Sequence, residues 1–171
     1  LHAAAAGSGR PEIVSALVLM GAEVDARLAG NACRWDIQRA TLGPCATTPL
    51  HLAAKRTDAD APGIALALIA AGASVQARDE GRNTPLHHAA AALNEELIVA
   101  FLSAGADASM SNDEGQTPLH RALEADAPLH LVRTIVDHGA APRLDAIVRA
   151  EPLDKTDEAG LAPVHVAARD S

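Results

Sequence analysis

Eight histidines in this chain could bind a metal ion. Five of them are widely separated: His2, His51, His87, His120 and His165. They are 49, 36, 33 and 45 residues apart, whereas a zinc ion needs its ligands within about 2 Å of one point. Of the other three, His88 would leave a helix on a different face from its neighbour His87, and His130 and His138 stand eight residues apart near Asp137. We therefore expect neither a metal site nor a cofactor.

Nucleophiles and general acids are equally hard to find. Cys33 and Cys45 are twelve residues apart, a spacing that permits a disulfide but forms no CxxC ligand pair. Free thiols are the favoured state, and no nearby base would activate either cysteine. Asp-Glu pairs recur at Asp79, Asp113 and Asp157 in turn-rich segments, where we expect them to be solvated. Motifs for serine hydrolases, P-loops, zinc proteases and dinucleotides are absent, so the sequence predicts no enzyme.

Composition narrows the possible partners. The 171 residues carry a net charge of −8, which disfavours wrapping a nucleic-acid backbone. No apolar run approaches the roughly 20 residues of a membrane span. Apolar residues make up 49% of the chain, mostly alanine and leucine, with one Trp, one Phe and no Tyr. Twelve arginines against two lysines, together with the abundant alanine, favour a bacterial source.

A repeated phrase in the sequence predicts the secondary-structure elements that carry these residues. "TPLHLAAK", "TPLHHAAA" and "TPLHRALE" begin at Thr48, Thr84 and Thr117, and weaker copies begin at Leu1 and Ala162. A catalytic motif normally occurs once per domain, so a phrase that occurs five times indicates a structural repeat. A Gly-Ala marker follows most copies, and the shortest spacing gives a period of 33 residues.

Each unit predicts two helices and a hairpin-like connection. Thr84 is a helix-capping residue, and the proline after it suits the first helical position. A second helix is indicated by the apolar stripe Leu97, Ile98, Phe101 and Leu102. Gly105 follows, where a left-handed residue ends a helix with little strain. One such unit cannot bury its apolar face alone, but stacked units share a continuous core.

These residues resemble the ankyrin repeat family. The resemblance rests on the T-P-L-H-x-A-A phrase, on the Gly-Ala marker and on a turn such as "NDEGQT" at 112–117, and it covers nearly the whole chain. Arg82 departs from it, since the family prefers glycine there. The resemblance implies an all-α repeat solenoid of helix-turn-helix units with β-hairpin loops. It also implies that the phrase histidine hydrogen-bonds threonine and the neighbouring backbone.

A single domain of about five units is expected over residues 1–171. The predicted repeats are approximately 1–26, 43–77, 79–111, 112–142 and 157–171, with partial repeats at both ends. Long insertions fall at about 27–42 and 143–156, and they either contribute to binding or reflect neutral drift. Leu1 is not an initiator Met and lies inside a copy of the phrase, so we expect a longer parent protein.

The resemblance implies a protein–protein interaction module that presents a concave surface. Family positions that vary for binding are Lys55, Arg56, Arg78, Glu80, Asn83, Ser111, Asp113, Glu114, Gln116, Glu124, Glu158 and Arg169. Trp35, flanked by Arg34 and Arg39, suggests a partner contact in the first insertion; alternatively, Trp35 covers the apolar edge between repeats one and two. We expect the surface to be basic toward repeat two and acidic toward repeat four.

The expected partner is another protein, with no nucleic acid and no membrane, and the expected state is a monomer. The alternative function is a targeting arm of a larger enzyme, or of a secreted effector, whose catalytic part lies elsewhere. A cytoplasmic location is favoured.

Overall fold

The computed structural model describes residues 1–7, 9–27 and 46–140. The predictions at Cys33, Arg34, Trp35, Arg39 and Cys45, and the whole fifth repeat, lie outside these ranges. Eight helices occupy the described part of the chain, which contains no strand: α1 (His2–Ala6), α2 (Pro11–Leu19), α3 (Pro49–Ala54), α4 (Ala61–Ala70), α5 (Pro85–Ala91), α6 (Glu95–Ser103), α7 (Pro118–Glu124) and α8 (Leu129–Ala140). The expected β-hairpins are therefore turns.

The helices form two parallel rows. The short helices α1, α3, α5 and α7 contact one another in order and make the inner row, while α2, α4, α6 and α8 make the outer row in the same order. Each inner helix also packs against the outer helix that follows it. Contacts thus run between neighbouring pairs, which is the arrangement of a solenoid. The predicted all-α repeat solenoid is confirmed.

Both rows contribute apolar side chains to the core. Small residues such as Ala53, Ala54, Ala89 and Ala90 are fully buried in the inner row, and they let the inner helices approach closely. Large apolar groups come from both rows, such as the leucines of the TPLH phrases in the inner row and Ile64 and Leu68 in the outer row. The predicted stripe of α6, from Leu97 to Leu102, is buried as expected, and Phe101, the only phenylalanine, has no exposed surface.

Glycine ends three of the outer helices. Gly21, Gly72 and Gly105 have φ of 86°, 91° and 86°, in the left-handed region that favours glycine. In the last case the Gly105 N–H donates to the Leu102 carbonyl and the next N–H to the Phe101 carbonyl, which is the Schellman pattern. The fourth marker differs, because Gly139 lies within α8.

The repeated phrase forms a capping box in which histidine takes the place usually held by glutamate. In α5 the Thr84 N–H donates to His87 Nδ1 at 3.1 Å, and the Thr84 Oγ1 lies 2.8 Å from the same nitrogen. Since Nδ1 accepts from a backbone N–H, the ring proton is on Nε2. The structural role predicted for this histidine is therefore confirmed within its own repeat.

The second ring nitrogen joins each repeat to the next. Nε2 of His2 lies 3.1 Å from the Thr47 carbonyl oxygen, and Nε2 of His51 lies 3.0 Å from that of Asn83. His87 repeats the contact with Gln116 at 3.1 Å. The acceptor is in each case the backbone just before the next inner helix. These histidines form a ladder that fixes the register of the inner row.

The ladder generates a first prediction. Thr84→Val should lower the free energy of unfolding by roughly 1–2 kcal/mol, because it removes the hydroxyl beside His87 Nδ1 in a buried site. Urea denaturation measures the change. The matched control is Thr57→Val, at an exposed position, which should stay within about 0.5 kcal/mol of wild type. Equal effects of the two substitutions would contradict a capping role.

The turn before each inner helix contains a left-handed residue two positions ahead of the threonine. Gly115 has φ of 76°, but Arg82 and Ala46 occupy the equivalent positions with φ of 56° and 65°. A side chain there costs about 1 kcal/mol or more relative to glycine. The departure at Arg82 noted in the sequence is thus a site of backbone strain.

Asp79 corrects the expectation that the Asp-Glu pairs are solvated at equivalent positions. Only 4% of Asp79 is exposed, and its Oδ1 accepts the Asn83 N–H at 2.9 Å. Its true counterpart is Asn112, whose side-chain oxygen accepts the Gln116 N–H at 2.9 Å. Both residues stand five positions before the threonine, where a short polar side chain closes the turn. Asp113 is exposed, as predicted.

Arg82→Gly should raise the free energy of unfolding by about 0.5–1 kcal/mol, because glycine adopts the left-handed conformation without strain. The control Arg82→Ala retains a Cβ atom and removes only the ion pair with Asp113, which is 3.8 Å long and mostly exposed. It should change stability by less than about 0.5 kcal/mol. Urea titration compares the variants, and a glycine variant no more stable than the alanine variant would refute the strain.

Candidate functional site

The polar residues that remain accessible on the inner row and on its turns form one surface, named here the inner face. The helices contribute Lys55, His88, Arg121 and Glu124, and the turns contribute Glu80, Arg82, Asp113 and Glu114. Turn and helix are in direct contact, since Asp79 touches His88 and Gln116 touches Glu124. The inner face therefore combines groups from both.

Five of the residues predicted to bind a partner lie on this face: Lys55, Glu80, Asp113, Glu114 and Glu124. Glu80, Asp113, Glu114 and Glu124 are exposed. Lys55 is partly buried, and this burial lowers its pKa although Asp79 opposes the change. Arg78 and Ser111 are partly exposed. Structural contacts limit the freedom of the other described residues, which are Arg56, Asn83 and Gln116.

Arg56 does not present the free charge expected of it. Its side chain is 7% exposed, and Nη2 lies 2.6 Å from the Asp58 carboxylate. Nη1 donates to the backbone carbonyls of Ala5 and Gly7, at the end of α1. Carbonyls at the end of a helix have no donor within that helix. The guanidinium supplies the missing donors and thereby connects repeat two to repeat one.

Gln116 and Asn83 are also committed to structure. Gln116 is 7% exposed, and its amide donates to the Glu124 carboxylate. The Asn83 side-chain oxygen accepts from the Asn112 amide at 3.0 Å, which connects two successive turns. These two residues hold the turns in place, and neither presents a free side chain to a partner.

A buried histidine–aspartate pair lies under the inner face and was missed from the sequence. Nε2 of His88 donates to Asp79 Oδ2 at 2.8 Å, with the Asp79 side chain fully covered. Burial would raise the pKa of Asp79. The hydrogen bond from His88 and the other groups around the carboxylate outweigh burial, so the pKa is lowered overall. Burial also lowers the pKa of His88 despite Asp79. The signal was available: Asp79 stands five residues before a phrase threonine.

Charges on the inner face are largely paired with close neighbours. Arg121 Nη1 donates to Glu124 at 2.9 Å, and Arg82 faces Asp113 across two turns. With Arg56 withdrawn into the repeat contact, the basic end toward repeat two consists of Lys55 and Arg78. The difference in charge between the repeat-two end and the repeat-four end of the inner face is therefore smaller than the sequence predicted.

Two further findings concern the described residues as a group. No three or more histidine, cysteine, aspartate or glutamate side chains among them are close enough together to hold a metal ion. In the same part of the chain, every helix is too short or too polar to cross a membrane.

A family model described as "Ankyrin repeats (3 copies)" matches residues 1–108, which span the first three helix pairs of the structure. No curated protein matches the chain.

The histidine ladder makes stability depend on pH. Burial lowers the pKa of His51 and of His87 to about 4, so both are neutral when folded and protonate near 6.5 when unfolded. Their stabilisation is complete above about pH 6.5 and is lost as the pH falls toward 4. When the pH falls from about 7 to about 5, we expect the free energy of unfolding to decrease by on the order of 2 kcal/mol for each of these two histidines.

Urea denaturation at the two pH values measures this loss. His87→Gln should remove the contribution of that histidine to the pH dependence, on the order of 2 kcal/mol. His130→Gln, at a histidine whose side chain is 66% exposed, should leave the pH dependence unchanged. Equal wild-type stability at both pH values would contradict the neutral ladder.

Proposed function

The chain belongs to the ankyrin repeat family, and we propose that it binds a partner protein through its inner face. Members of this family are generally protein–protein interaction modules and typically carry no catalytic site. The buried or largely buried residues that could act as acids or bases include four that are engaged in turns, caps and repeat contacts: His51, Asp79, His87 and His88. The function proposed is therefore recognition without a reaction.

The cross-linked turns are the observation that supports this proposal most strongly. The Asp113 N–H donates to the Gly81 carbonyl at 3.0 Å, and the Asn112 amide donates to the Asn83 side-chain oxygen at 3.0 Å. Successive turns are thereby bound to each other as well as to their own helices. Exposed side chains on such turns, including Glu80 and Glu114, stand on a rigid frame. Rigidity reduces the entropy lost on association, which favours tight binding by a modest surface.

The chemistry of the inner face suits a polar partner surface of mixed charge. Lys55 lies toward repeat two, whereas Glu114 and Glu124 lie toward repeat four. Complementary charges across an interface contribute mainly to specificity and to the rate of association. A partner that places acidic groups near Lys55 and basic groups near Glu114 would satisfy both ends.

Arg34, Trp35 and Arg39 extend this proposal into the first insertion, outside the described residues. Tryptophan and arginine are enriched among residues that dominate binding energy. We propose that they contact the same partner beside repeat two. The rival hypothesis remains that Trp35 covers the apolar edge between the first two repeats.

The proposal is tested with a partner captured on the immobilised chain, identified by mass spectrometry and then purified. Lys55→Gln and Glu114→Lys should each weaken its binding by about tenfold, or about 1.4 kcal/mol, because each removes a charge that meets the partner. The melting temperature should not change. Isothermal titration calorimetry gives the dissociation constant, and calorimetric melting gives the stability.

The matched control is Arg133→Glu on the outer row, where the side chain is 80% exposed, and it should bind as wild type does. Binding weakened equally by Arg133→Glu, or by none of the variants, would refute the inner face. In the same assay, Trp35→Ala should weaken binding without lowering the melting temperature. The reverse result would favour the rival hypothesis for Trp35.

A further inference from the structure

A cavity of about 340 Å³ lies between the segments that leave the first and second helix pairs. Asp25 and Arg27 line it from the first segment, and Ser74, Gln76 and Arg78 line it from the second. Arg27, Ser74 and Gln76 are exposed, so the cavity opens to solvent. Its volume is at the lower end of the roughly 300–1,000 Å³ of small-molecule sites, which suits a single side chain.

The repeat itself brings two arginines to this cavity. Residues 21–27 are Gly-Ala-Glu-Val-Asp-Ala-Arg and residues 72–78 are Gly-Ala-Ser-Val-Gln-Ala-Arg. Arg27 and Arg78 therefore occupy the same position in successive repeats, six residues after the glycine that ends the outer helix. The third repeat has Ser111 at this position. Within the described repeats, only the first two can supply such a pair.

Arg78 carries a donor that the fold leaves unused. Its Nη1 atom is buried and has no hydrogen-bond partner. A buried charged donor without a partner costs free energy, and most such groups in native proteins are satisfied. Arg78 itself lines the cavity, so an acceptor bound there would lie beside the side chain that carries this donor.

The other lining groups restrict the charge of that acceptor. Both carboxylate oxygens of Asp25 accept from the Ser74 N–H at 3.1 Å, and the Gln76 amide donates to the Gly105 carbonyl at 3.0 Å. These groups are engaged, which leaves the arginines as the available donors. Two positive charges and one negative charge give the cavity a net charge of +1. A singly charged anion fits this balance better than a dianion does, because Asp25 repels the second charge.

We propose that this cavity binds one carboxylate, supplied by an aspartate or glutamate side chain of the partner protein. Arginine binds carboxylates well because its planar fork of donors matches the two oxygens. The inference rests on the proposed function, since it names the chemical group that the partner presents. It also gives Arg78 a role different from that of the exposed charges on the inner face.

The test uses a small probe and no partner. The ¹H–¹⁵N signal of the Arg78 Nε–Hε group is identified by its loss in Arg78→Lys, and the wild-type chain is then titrated with N-acetylglutamate N-methylamide. We expect a saturable shift of this signal. The neutral N-acetylglutamine N-methylamide should produce none, and inorganic phosphate at neutral pH should bind more weakly than the glutamate probe.

Two variants locate the binding. Arg27→Gln, at an exposed position, should raise the dissociation constant of the glutamate probe about tenfold. Arg133→Gln removes an exposed arginine outside the cavity and should leave it unchanged. The carboxylate pocket is refuted by a shift that never saturates, by an equal shift with the glutamine probe, by tighter binding of phosphate, or by no effect of Arg27→Gln.

The pocket and the proposed function fail in different ways. If the probe does not bind while Lys55→Gln still weakens binding of the partner, the pocket is wrong and the inner face stands. If the probe binds while none of the inner-face variants changes partner binding, the carboxylate site stands and binding through the inner face is wrong.

Discussion

The fold depends on one imidazole ring used twice in each of the second and third repeats. Nδ1 accepts the backbone N–H that begins its own helix, and Nε2 donates to a backbone carbonyl of the next repeat, as in His51 and His87. A ring with one acceptor and one donor can serve both contacts only while it is neutral. Burial maintains that state by lowering the pKa. Helix capping and repeat stacking are therefore one interaction.

Both rows of helices contribute to the core. Alanines let the inner helices lie close together, while leucines such as Leu50 and Leu86 add apolar area to the core. The outer row adds Ile64, Leu68 and Phe101. Because these large side chains are buried in the core, the accessible side of the inner row and its turns are left to polar groups. The surface available for recognition thus follows from how the core is packed.

Local patterns in the sequence predicted what depends on local contacts. The capping threonines, the apolar stripe of α6 and the glycine after it all concern residues close together in the chain, and all were confirmed. The contacts of Arg56 could not be predicted because its acceptors lie 49 and 51 residues away, across an insertion. Asp79 was misjudged because the glycine of its turn stands one place early, which disguised its alignment with Asn112. The inner face as a site, and the insertion residues around Trp35, stay predictions.

The identity of the acceptors decides how freely such a chain can change its number of repeats. The ladder histidines bind backbone carbonyls, which every residue provides, so a duplicated middle repeat would find its partners already in place. Arg56 also binds carbonyls, but it needs the open end of α1 and the Asp58 carboxylate beside it. Moved to another position in the stack, it would bury a charge without acceptors, at a cost of several kcal/mol. We therefore expect the middle of the array to tolerate an added repeat, whereas the residues at the junction of the first two repeats must be kept together.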